Sequence, residues 1–284
     1  VSVLTVPADE YHAGVDDTPR LSASIAHILC TQSPLHAWTA HPRLNPHYAR
    51  DDDPKFDVGR LAHSILLEGD DITYVIHADD WRTKVAKEER EHARSLGKIP
   101  LLARHRDEVA RMVDAVRDQL AGHEADPPLF TDGKPEQSLA WEEDGVSLKA
   151  RLDWLRDDFS TTDDLKTTAR SANPDAYSRA LFSVGGDVQA AFYLRAVEKI
   201  TGERPVFRWV VVETAPPYAL SVITPGADVL ALGEAKVEWA IKRWRICMES
   251  DVWQAYGNYV HEAELPGWEE ARWLEREARD EIVA

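Results

Sequence analysis

With 284 residues, 44% hydrophobic and 29% charged, the chain has the length and composition of a globular protein with a substantial core, and no apolar run approaches the roughly 20 residues that span a bilayer. Lysines and arginines number 33 against 50 acidic residues, a formal net charge of -17, which argues against a protein that coats nucleic acid by bulk electrostatics and leaves room for a local site where carboxylates gather cations. The opening Val1 to Val6 lacks a basic leader, and Cys30 and Cys247 cannot build a disulfide framework, so a cytoplasmic protein with free thiols and no membrane partner is expected.

In chain order, Ser22 or Ser24 can cap a short helix through Leu29, and Ser33-Pro34 reads as cap and first position of another. Asp51-Asp52-Asp53-Pro54 is a break. From Phe56 to Glu68 the residues Val58, Leu61, Ala62, Ile65 and Leu66 recur at helical spacing, with His63 on that helix and Gly69 closing it. The charge-rich stretch from Lys84 to Gly122 reads as mostly helical, interrupted near Gly97 and Pro100, with Val109, Met112, Val113 and Val116 as a packing stripe. After Asp126-Pro127-Pro128 three short strands are expected around 138–141, 147–155 and 163–168, forming an antiparallel meander. Asn173-Pro174 caps a helix through Leu181, and a second runs from Val188 to Ile200. A strand at Val206 to Glu213 is followed by its hairpin partner, a long helix from Asp228 to Met248 and a helical end. The whole reads as α/β, a central mixed sheet flanked by helices in one domain over 1–284, with 1–55 as an amino-terminal helical segment and 56–284 as the core.

One ordered series carries chemistry. Asp153 and Asp164 lie on adjacent strands, where both carboxylates can reach one end of the sheet, and oxygen ligands of this kind suit Mg²⁺. Alternation along a strand puts Asp164 and Lys166 on one side with Leu165 turned inward, and the Leu165 carbonyl could add a ligand. Lys166 would position or deprotonate water. Glu136 offers a further carboxylate, and His63 a neutral imidazole. Gln189 and Tyr193, four apart, share a helix face, while Lys149 and Arg151 alternate on the strand that carries Asp153 as candidate phosphate contacts. Taken singly each has a plainer reading, as a capped histidine, a chance Asp-x-Lys or a core tyrosine; the ordered set points to metal-dependent phosphodiester hydrolysis.

The segments Gly59-Arg60-Leu61-Ala62-His63, Glu136 ahead of Trp141, Lys149 to Asp153, Asp164 to Thr168 and Gln189 to Tyr193 resemble the PDDEXK nuclease superfamily, within it the phage and prophage exonuclease VIII (RecE-type) group related to RecB-like nucleases. That resemblance runs from about Tyr11 to Tyr193. It implies a restriction-endonuclease-like core in which His63, Asp153 and Asp164 hold Mg²⁺, with Mn²⁺ able to substitute. Lys166 would be catalytic with Asp153, Asp164 and Glu136, and Gln189 and Tyr193 would meet the substrate. It further implies an exonuclease on double-stranded DNA ends working 5′ to 3′ in phage-type recombination, a ring-like homo-oligomer (trimer or tetramer), and a single-strand annealing protein as partner. A single-strand or structure-specific RecB-like nuclease, and a non-catalytic DNA-binding or assembly module, are the alternatives. Here the third motif carries Asp164 where glutamate is also used, which shortens the reach to a metal. With two cysteines the chain cannot by itself form the four-cysteine iron-sulfur site of related branches.

Overall fold

The computed structural model of the chain describes residues 2–4, 11, 17–49 and 57–283; the break read at Asp51 to Pro54 lies outside them. Two units result, 1–254 and 255–284. The second contains one helix, Gly267–Val283, on which Trp268, Trp273 and Leu274 are exposed.

In the first unit six strands form one mixed sheet in the order β1 (Ser2–Leu4), β4 (Gly133–Glu143), β5 (Val146–Arg156), β6 (Thr161–Thr168), β7 (Val206–Glu213) and β8 (Leu220–Ile223). All neighbours are antiparallel except β6 and β7, which run parallel from Thr161 opposite Val206 to Thr168 opposite Glu213. A parallel pair needs a crossover, here the helices α6 (Pro174–Leu181) and α7 (Gly186–Thr201). Asn173 starts α6 by accepting from the Asp175 and Ala176 N–H groups, with Pro174 in the first turn.

Burial sets the layers. Leu148, Ala150 and Leu152 of β5 pack with Val188, Ala191 and Phe192 of α7, with α1 (Ala23–Thr31), and with Val237, Ile241 and Trp244 of α8 (Ala227–Ser250). On the other side Leu165, Val210 and Val212 meet Ala62 of α3 (Asp57–His63) and Met112 and Val116 of α5 (Arg106–Ala121). Ser22 and Ser33 cap α1 and α2 (Pro34–Thr39) as their sequence positions suggest.

The stretch expected to be mostly helical from Lys84 onward holds a strand instead. Its helix α4 (Lys84–Ser95) is followed by β3 (Ile99–Leu102), which pairs in parallel with β2 (Thr73–Ile76) as a separate two-stranded sheet. All four β3 residues are buried, so tertiary packing overrides the charge-rich surroundings. The expected helix from Phe56 also changes character, because after His63 it widens into a π-turn, Ser64–Glu68, ended by Gly69 at φ 75.

A buried ion pair secures the root of β6. Asp163 is fully buried; Arg208 donates to both its carboxylate oxygens, at 2.5 and 2.9 Å, and the Phe130 N–H adds a third hydrogen bond. Arg208 also donates to the Pro127 carbonyl, which leaves the buried charges well paired.

Candidate active site

The site opens where β5 and β6 part. Their ladder holds only Trp154 opposite Asp163 and Leu155 opposite Thr162, so the strands separate at Asp153 and Asp164. A backbone amide left without its strand partner needs another, and side chains supply it at Leu165. Its N–H donates to Asp153 Oδ2 at 2.8 Å, and its carbonyl accepts from His63 Nε2 at 2.8 Å. His63 reaches this notch because α3 lies close on β6: a Cβ on Gly59 would stand 2.9 Å from Thr167 Oγ1.

Glu136 enters from the opposite flank. Pro135 pairs with Trp154 and Gln137 with Leu152, which places Glu136 opposite Asp153 at a position the ladder skips. Its φ of 53 lies in the left-handed region, a strained conformation for glutamate that takes the residue out of strand geometry. His63 Nδ1 then lies 3.7 Å from Glu136 Oε1 and 3.6 Å from Asp153 Oδ2. One ligand atom from each of these three residues fits within 4.8 Å of the others, and among the described residues this is the metal-capable group that emerges. With Nε2 donating to Leu165, Nδ1 is left for a cation, and two carboxylates with one imidazole suit a hard divalent ion. The residues fit the metal that the sequence implies.

The electrostatics agree with a site built for positive charge. Burial pulls the His63 imidazole down, but Asp153 and Glu136 outweigh it and lift the ring to about 9. Burial pushes the Asp153 carboxyl above its ordinary range, assisted by the nearby Asp164 and opposed by His63. Glu136 is held below the usual range despite its burial, by His63 and by Arg151, whose Nε donates to Glu136 Oε2 at 2.6 Å.

The remaining sequence-derived candidates fall into two groups. Asp164, 1% exposed, is held by two partners: Oδ2 pairs with Lys166 Nζ at 2.5 Å and Oδ1 accepts from Gln189 Nε2 at 2.8 Å, while its charge acts on Asp153. Tyr193 is hydrogen-bonded to Gln189, and its phenol is pushed up by burial. Lys166 stays protonated, since Asp164 and Asp153 more than offset the effect of burial. Asp164 and the Leu165 carbonyl, both expected as metal ligands, adjoin the group formed by His63, Glu136 and Asp153, the carbonyl accepting from His63 Nε2 with one of its two lone pairs. Lys149, expected at a phosphate, is 6% exposed; its ammonium donates to the Tyr11 carbonyl and lies 4.4 Å from the Tyr11 ring. Arg151 is engaged by Glu136 and by Ser138 Oγ at 2.9 Å.

Sequence reasoning passed over three residues here. Tyr177 on α6 senses the charges of Lys166 and Asp164, Tyr11 lies over Lys149 and Arg151, and Glu68 feels Glu136, Arg151 and His63. Only Glu68 left a sequence signal, five residues beyond His63 and just before Gly69.

This notch, with carboxylates at the parting of two strands and a lysine two residues beyond Asp164, lies inside the region matched by one family profile. Residues 33–266 match the PDDEXK-like domain of unknown function DUF3799. The chain belongs to this family. A crystal structure from Eubacterium rectale, of a protein provisionally named an exonuclease, superposes on the PDDEXK-like chain with a TM-score of 0.63, covering 93% of this chain and 97% of that one at 15% identity. At that identity the likeness is one of fold. A crystal structure of SSO0001 matches 65% of this chain and 85% of its own at 13% identity with a TM-score of 0.28. No curated protein matches the chain. Among the described residues no helix is long and apolar enough to cross a membrane.

Proposed function

We propose that this PDDEXK-like chain is a divalent-cation-dependent nuclease, and within that class a Mg²⁺-dependent exonuclease on double-stranded DNA ends, digesting 5′ to 3′. The observation that carries the hydrolytic reading is the convergence of His63 Nδ1, Glu136 and Asp153 on one point, next to the Lys166–Asp164 pair. When bound there, Mg²⁺ or Mn²⁺ supplies Lewis-acid charge against a phosphate oxygen and makes water more acidic. Lys166, held protonated, is suited to hold the attacking water and to offset charge on the pentavalent phosphorus, and not to take a proton. Gln189 fixes Asp164, and Asp164 in turn aims Lys166. His63, lifted to about 9 beside the two carboxylates, carries a proton that a cation would displace.

Action on ends is supported by the resemblance to RecE-type exonucleases and by the provisional name of the Eubacterium rectale neighbour, while polarity, a ring-like homo-oligomer and a single-strand annealing partner rest on the resemblance alone. The test is digestion of equal amounts of linear and covalently closed circular duplex with Mg²⁺. The reading expects loss of the linear form alone, with 5′-phosphate mononucleotides released from a 5′ label. Nicking of the circle would replace the exonuclease with an endonuclease.

A further inference from the structure

Glu68 completes the turn Ser64–Glu68, and that turn has a positional consequence. An α-helix advances about 100° per residue, so five steps beyond His63 would carry a side chain roughly 140° around the axis, away from the site. A turn closed by i→i+5 hydrogen bonds brings residue i+5 back over residue i, and such turns recur at functional sites. The turn is pinned at its end: the Gly69 and Asp70 N–H groups both reach the Ser64 carbonyl, and Ser64 Oγ donates to the Asp70 carbonyl. Glu68 is therefore delivered to the His63 side. Its carboxyl is pushed up by burial and by Glu136, while Arg151 and His63 pull it down, so it shares the field of the cation group. It lies outside the three residues whose ligand atoms meet, and it is exposed, which sets it on the solvent side of the notch.

Burial and the Glu136 charge both push the Glu68 carboxyl up, so holding Glu68 ionised in this field costs stability. A divalent ion would repay that cost. We propose that Glu68 is a positioning residue for the divalent cation that His63, Glu136 and Asp153 would hold, acting from the solvent side. This rests on the cation-dependent part of the reading above. Partners one layer beyond the ligands hold bound water and ligands in place.

Calorimetric titration of the metal-free full chain with Mn²⁺, alongside Glu68→Gln, Glu68→Asp and Glu136→Gln, tests it without reference to turnover. Glu68→Gln is expected to weaken Mn²⁺ binding about tenfold, and Glu68→Asp to recover part of the loss. The same Glu68→Gln change should raise the urea midpoint of the metal-free protein, a pairing of opposite signs that a merely structural glutamate would not produce. Wild-type affinity in Glu68→Gln together with weakened binding in Glu136→Gln would overturn the role of Glu68 and leave the cation site standing. Absence of Mn²⁺ binding by the wild type would overturn both.

Discussion

Replacing Asp153 by asparagine separates charge from shape at the centre of the site. The Asn oxygen can still accept from the Leu165 N–H, as Asp153 Oδ2 does at 2.8 Å, so the parted strands keep their tie. What disappears is the charge 3.6 Å from His63 Nδ1, the foremost influence raising that ring. The distance between an ordinary histidine at 6.5 and His63 at about 9 corresponds to roughly 3 kcal/mol in favour of the imidazolium. Asp153 shares that with Glu136, so losing it should lower the His63 pKa by at least about one, worth 1.4 kcal/mol. The assay is an NMR titration of the His63 ring in the metal-free protein, with Mn²⁺ calorimetry on the same samples. The variant should show the lowered pKa, a native fold and Mn²⁺ affinity reduced at least about tenfold. A ring that titrates as in the wild type, with Mn²⁺ affinity intact, would remove Asp153 from the site.

Lys166→Ala should cut phosphodiester cleavage by about a hundredfold or more while leaving the fold and Mn²⁺ affinity in place; single-turnover rates and calorimetry check the two halves. The raised His63 pKa sets two opposed pH trends. Its contribution to metal-free stability is fully present below 6.5 and lost as pH rises through about 9, so the urea midpoint should fall across that window, and less so in Asp153→Asn. Mn²⁺ affinity should climb across the same window, because the ion displaces the His63 proton. Gly59→Val should cost about 1–3 kcal/mol by forcing α3 off Thr167, and Thr167→Ala in the same chain should recover part of it in chemical denaturation. Asp163→Ala, which strands Arg208 in the interior, should cost about 3–5 kcal/mol by the same measurement.

Much of the site could be read from the sequence because strand alternation and helix spacing are local rules. They put Asp164 and Lys166 together, Gln189 and Tyr193 on one face, and Gly59 ahead of His63. What escaped depends on the partition of strands and on distant packing. Nothing local says that β5 and β6 part after two pairs, and so nothing local shows that His63 and Asp153 take up the carbonyl and N–H of Leu165 in place of a strand partner. Glu136 was placed just before its strand; it lies within β4, and a left-handed backbone turns it into a central member of the cation group. Lys149 follows the same alternation as Arg151, yet Tyr11, far off in sequence, covers it. The fold shows the same division: the long β5 and β7 announce themselves by their apolar residues, while the four-residue β2 and β3 are too short to outweigh the charged helix between them.

The central claim is metal-dependent phosphodiester hydrolysis at the notch formed by His63, Glu136, Asp153 and Lys166. Incubation of the purified chain with end-labelled linear duplex DNA, with Mg²⁺ and again with EDTA, tests it most directly. The account predicts labelled short product with Mg²⁺ and intact duplex with EDTA. Intact duplex under both conditions, from protein that binds Mn²⁺ normally, would contradict it.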